Sequence, residues 1–138
     1  MTRISHIFIL VIFLALSSKA SAQIEMLVQK CQSYLPGKYI SDGQEYRTLL
    51  NQDEVGEFKA VFYGGSTYRI VVLGSSEAGQ VAFTLYDQNQ QELFSSRDYN
   101  NTPYWDFKFA STMTCTIETT LPMGVPSGFV VMLVGFKQ

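Results

Sequence analysis

The run Glu57–Asp87, EFKAVFYGGSTYRIVVLGSSEAGQVAFTLYD, decides how the rest of the chain is read. It divides into three short stretches separated by Gly64-Gly65-Ser66 and by the segment Gly74 to Gly79. Phe58, Ala60 and Phe62 share one side of the first stretch, Tyr68, Ile70 and Val72 one side of the second, and Val81, Phe83 and Leu85 one side of the third. Apolar groups at every second position are what a half-buried antiparallel sheet requires. The expectation is three strands joined by glycine-bearing turns, with Gly64-Gly65 as a hairpin turn.

Towards the C-terminus the same period continues. Glu92 to Ser96 reads as a short strand pairing with the third, and Arg97 to Pro103 as a polar loop. Tyr104 to Phe109 sets Trp105, Phe107 and Phe109 against Tyr104, Asp106 and Lys108. Thr112 to Leu121 sets Met113, Cys115, Ile117 and Thr119 against Thr112, Thr114, Thr116 and Glu118. Phe129 to Phe136, FVVMLVGF, is a nearly unbroken apolar run, which fits a central strand covered on both faces.

Upstream, Ile24, Leu27, Val28, Cys31, Tyr34 and Leu35 fall at helical spacing, so a helix over 24–35 is expected to pack on the sheet, stopped by Pro36-Gly37. Asp42-Gly43 signals a turn, and Tyr46 to Leu50 reads equally as a strand or a helical turn. Seven or eight short strands at regular spacing describe an all-β sandwich or barrel with a short N-terminal helix.

The N-terminus carries Arg3, the apolar run Ile7–Leu16 and the small residues Ala20-Ser21-Ala22, the layout of a secretory signal peptide. The apolar run is shorter than the roughly 20 residues a membrane span needs. The expectation is a leader over residues 1–22, a single domain over 23–138, and an exported protein, periplasmic or extracellular, without membrane insertion. Loss of Arg3 and Lys19 leaves eight basic against twelve acidic residues, a net charge of −4. The remaining basic residues are scattered, which argues against nucleic acid as a partner.

Cys31 and Cys115 are the two cysteines of the chain. In an oxidising compartment an even pair invites a bridge, and the helix would bring Cys31 to a strand carrying Cys115. Two buried thiols that never meet is the alternative, and both stand at this point.

From about Val55 to Phe136 the chain resembles the jelly-roll β-sandwich domains of the pre-peptidase C-terminal type found in secreted bacterial peptidases. The features that carry the resemblance are GGSTYRIVV, VAFTLYD, WDFKF, a threonine-rich strand and the glycine-preceded FVVMLVGF. The chain is also similar to small exported bacterial proteins with a signal-peptide-plus-sandwich layout. The resemblance implies a jelly-roll-like antiparallel sandwich and no catalytic residue.

The single histidine, His6, lies in the expected leader. Without another, Ser-His-Asp and Cys-His nucleophiles and imidazole zinc sites are absent from the mature chain. The carboxylates, Asp42, Glu45, Asp53, Glu54, Glu57, Asp87, Asp98 and Asp106 among them, show no spacing that pairs two across a cleft, and each reads as solvated surface. Asp98-Tyr99-Asn100-Asn101 and Asp87-Gln88-Asn89 lack the D-x-D-x-D-G order of a calcium loop. No metal or cofactor is expected.

Tyr99, Asn100, Asn101, Tyr104 and Trp105 form the candidate site, a polar loop flanked by aromatic rings of the kind that stack on sugar faces. Trp105 also shares a face with Phe107 and Phe109, which favours a core position for it and leaves Tyr99 and Tyr104 freer to be exposed. The function read from the sequence is a non-enzymatic exported binding module for a glycan or an envelope component. The alternative is a structural or protein-interaction subunit of an envelope assembly.

Overall fold

The computed structural model describes residues 19–137. The expected leader falls mainly on residues 1–18, outside the described residues; residues 19–22 are helical and exposed. Residues 19–32 form helix α1, followed by eight strands: β1 (Ile40–Asn51), β2 (Val55–Phe62), β3 (Thr67–Gly74), β4 (Ala82–Tyr86), β5 (Glu92–Ser95), β6 (Tyr104–Lys108), β7 (Met113–Thr120) and β8 (Ser127–Lys137). A short 3-10 turn, Ser96–Tyr99, links β5 to β6. Among the described residues no helix is long and apolar enough to cross a membrane.

The strands pair β1 with β8, β2 with β7, β3 with β6 and β4 with β5, all antiparallel. That is one long hairpin of four strands out and four back. Rolling it up adds the β3–β8 and β4–β7 pairs and yields two four-stranded sheets, β1-β8-β3-β6 and β2-β7-β4-β5. The result is an eight-stranded jelly-roll sandwich with a helix on one outer face.

The alternation read from the sequence points the chosen side chains into one core. Phe58, Phe62, Tyr68, Ile70, Val72, Val81, Phe83 and Leu85 are buried between the sheets with Cys115, Ile117, Val130, Met132 and Val134, and Ala60, Trp105 and Phe107 pack against them. The strand partnerships differ from the expectation. β2, β3 and β4 alternate between the two sheets, so Gly64-Gly65 carries an arch from one sheet to the other and is not a hairpin turn. Period two fixes which face is buried but is silent on which strand lies alongside.

β8 lies between β1 and β3 and is covered on both sides, as its unbroken apolar run requires. Val130, Met132 and Val134 enter the sandwich, while Val131 and Leu133 face α1, where Leu27, Val28 and Cys31 cover them together with Val71. Each such aliphatic side chain contributes roughly 1.5–3 kcal/mol on burial, which is what holds α1 against the sheet. The helix ends at residue 32, and turns closed by Tyr34 N–H to Cys31 O and Leu35 N–H to Gln32 O lead into Pro36. The segment Tyr46–Leu50, ambiguous in sequence, belongs to β1.

The two cysteines are free and buried, not bridged. Cys31 lies under α1 on the outer face of the β1-β8-β3-β6 sheet, and Cys115 lies inside the sandwich, so that sheet separates them. A period-two strand presents only one face to each layer, and Cys115 faces the layer that α1 never enters.

Candidate functional site

Four connections meet at one end of the sandwich: β1–β2, β3–β4, β5–β6 and β7–β8. They enclose a cleft of about 620 Å³ lined by Asp53, Gln80, Arg97, Asn101, Pro122 and Met123, among others. Hydrogen bonds tie these connections to one another and to the adjoining strand ends. Gln52 N–H donates to Pro126 O at 2.8 Å, Ser75 N–H to Phe129 O at 2.8 Å, and Arg97 Nη2 to Thr120 Oγ1 at 2.7 Å.

The β5–β6 connection carries most of the expected site. Asn100 and Asn101 both take the left-handed conformation, with φ of 55° and 52°. Asparagine tolerates that region better than other non-glycine residues, which explains the Asn-Asn pair here. Asn101 N–H donates to Ser96 O at 2.8 Å, and the Ser96 hydroxyl accepts Phe83 N–H at 2.9 Å, which ties the loop to β4. Asn101 Oδ1 is buried without a hydrogen-bond partner, and Asp53, also in the cleft lining, has φ of 65°.

Tyr99 and Trp105 come together, their ring centroids 4.3 Å apart, and both rest on Phe94 of β5 at 5.5 and 5.0 Å. The Trp105 ring is half-buried and continues the aromatic core through Phe94 and Phe107, while Tyr99 is half exposed. Tyr104 does not join them. It is the neighbour of Trp105 on β6 and therefore faces the opposite way, packing on Tyr34 beside α1 with ring centroids 5.5 Å apart. The five residues expected as one platform thus divide into a Tyr99–Trp105 stack, an exposed Asn100 capping the 3-10 turn, a cleft-lining Asn101, and a Tyr104 on the other face of the sheet.

On that other face lies a constellation that the sequence reading missed. Arg69 of β3 donates from Nε to Asp106 Oδ1 at 2.7 Å and from Nη2 to Asp106 Oδ2 at 2.8 Å. Its Nη1 donates to Tyr34 O at 2.9 Å, and Tyr39 Oη donates to Asp106 Oδ2 at 3.0 Å. The guanidinium lies 4.6 Å from the Tyr39 ring centroid and 4.4 Å from that of Tyr104. The bonds from Arg69, with that from Tyr39, hold the Asp106 carboxyl below its usual range; burial and Asp106 push the Tyr39 phenol up. Asp106, expected as a solvated carboxylate, is instead the anchor of the segment following α1. Arg69 and Asp106 are direct cross-strand partners, a relation visible only once the register is known.

The thiols offer no nucleophile. Desolvation pushes Cys31 up to about 12 and Cys115 to about 11, so both stay protonated at neutral pH. Asp87 is spent on its own turn, accepting Asn89 N–H and Gln91 N–H. No group of three or more potential metal ligands occurs among the described residues.

The sandwich has a solved counterpart. A crystal structure of Aeromonas hydrophila PliG, a periplasmic lysozyme inhibitor of g-type lysozyme, matches with a TM-score of 0.56, covering 73% of this chain and 89% of that one at 12% identity. At that identity the likeness is one of fold. No protein-family model matches the chain, and no curated protein matches it.

Proposed function

We propose that this chain is an exported, non-enzymatic binding module that engages a protein of the cell envelope through the loop end of its sandwich. The observation that carries the reading is Met123. It stands fully exposed at 103% of its reference area, on the loop between Pro122 and Pro126, at the rim of the cleft. An unbranched, polarizable side chain adapts to irregular partner surfaces, and flanking prolines reduce the ordering cost of docking. Support also comes from the fold shared with a periplasmic lysozyme inhibitor, which makes a lysozyme the first partner to test. The acidic net charge favours a basic partner.

The test is titration of the purified exported protein into g-type lysozyme, followed by calorimetry and by the rate of cell-wall lysis. The expected result is a saturable complex and slowed lysis, both lost in Met123→Glu with the fold intact. Absence of a complex with g-type lysozyme removes that partner, and a complex indifferent to Met123→Glu removes the loop end as its site.

A glycan at the Tyr99–Trp105 stack is the second reading, favoured by the half-exposed Tyr99 ring beside a polar loop. Saturable binding to a cell-wall glycan, lost in Tyr99→Ala, would establish it over the first.

A further inference from the structure

A second concave site lies away from the loop end, at the seam between β1 and β2. Between Ser41, which pairs with Gly135, and Glu45, which pairs with Leu133, β1 places three residues opposite the single Val134. The bulge is held by Gly43 at φ 79°, by Gly43 N–H to Ser41 Oγ at 3.1 Å and by Gln44 N–H to Asp42 Oδ1 at 2.9 Å. A bulge re-aims a side chain, and here it carries Asp42 over the seam. Beneath it is a pocket of about 330 Å³ whose wall includes Val61, Tyr63, Tyr68, Val134 and Phe136.

The lining has a consistent chemistry. Tyr68 and Phe136 pack with ring centroids 5.9 Å apart, and the backbone of Tyr63, also in the lining, is tied to them by its N–H donating to Tyr68 Oη at 3.0 Å. Tyr63 and Val61 are among the large apolar side chains most open to solvent, at 63% and 49%. Asp42 stands exposed in the pocket lining, and beyond accepting Gln44 N–H it takes part in none of the ion pairs among the described residues. The nearby Lys137 turns to the Tyr39 ring, 5.3 Å from its centroid.

Aromatic rings with an unpaired carboxylate are complementary to a cation that carries its charge in a weakly hydrated, apolar shell. We propose that this pocket binds a small organic cation of the alkylammonium class, its methyl groups against Tyr63, Tyr68 and Phe136 and its charge facing Asp42. The volume suits a ligand of a few carbons. The site is independent of the loop end and stands or falls separately from the reading above.

The test is titration of the purified exported protein with choline and with its uncharged isostere 3,3-dimethylbutan-1-ol, followed by NMR shifts of the Tyr63 and Phe136 ring signals. The expected result is saturable choline binding, with the isostere and the Asp42→Asn variant each weaker by about tenfold. Asp42→Asn keeps the acceptor that closes the bulge turn, and Tyr63→Ala provides a second variant on the wall. Equal binding of isostere and choline, choline binding unaffected by Asp42→Asn or by Tyr63→Ala, or no binding of choline would each overturn the proposal.

Discussion

Gly128 of β8 lies directly beneath Ala78 of the β3–β4 connection. A Cβ at position 128 would stand 2.6 Å from the Ala78 Cα and 2.7 Å from its backbone N, where no side chain can yield. Ala78 is itself fully buried, so the loop is pressed onto the strand and closes one end of the core. Gly128→Ala should therefore cost about 1–3 kcal/mol, as overpacking does. Ala78→Gly in the same chain should recover part of that loss. Urea unfolding of both variants decides it, and an unchanged midpoint for Gly128→Ala would refute the contact.

The Arg69–Asp106 pair predicts an acid-dependent stability. Breaking a fully buried pair costs about 3–5 kcal/mol; the Asp106 side chain is 39% exposed, and screening brings the expectation for Asp106→Asn to about 1–2 kcal/mol. The folded-state carboxyl titrates below its unfolded value of about 3.9. The pair's contribution is thus complete above that value and fades as pH falls through the lower folded one. Unfolding midpoints at pH 7 and below pH 3 should show the gap between wild type and variant closing in acid.

Both thiols should be silent in the native protein. A thiol reagent at pH 8 should find neither, unfolding should reveal two, and reductant should leave the melting temperature unchanged. A melting temperature lowered by reductant would show a bridge. Both folded thiols titrate above the unfolded value of about 8.5. The unfolded chain therefore loses these protons first, and stability should decline as pH rises past about 9.

Trp105 is the single tryptophan of the chain, so its emission reports on the Tyr99 stack. Tyr99→Ala should shift that emission to the red and cost about 0.5–1.5 kcal/mol, the range of an aromatic pair. Trp105→Ala should cost about 3 kcal/mol, because it opens the Phe94–Phe107 row to water. A Tyr99→Ala spectrum identical to wild type would mean that the two rings do not touch in solution.

The sequence was most legible where one face alone decides. The alternation from Phe58 to Leu85 named the core, and the unbroken run of β8 placed that strand between two layers. Partnership was not legible, because β2, β3 and β4 change sheets at each arch while their apolar period stays constant. Tyr46–Leu50 stayed ambiguous because β1 lies at a sheet edge with few buried positions. The candidate site was legible in part. Tyr99 and Trp105 meet because a short turn doubles the chain back between them, whereas Tyr104 was separated by the pleat of β6. Arg69 and Asp106, 37 positions apart, pair through register alone.

The pairing of β1 with β8 has a consequence for how the chain folds. The first strand and the last are neighbours, and β8 supplies the centre of its sheet between β1 and β3. A chain emerging from its N-terminus holds β1 and β3 with open edges until the final strand arrives. Such long-range closure belongs to the slow end of folding, milliseconds to seconds. Completion of that sheet is deferred until the last strand is available, and the apolar FVVMLVGF segment works as the closing clasp.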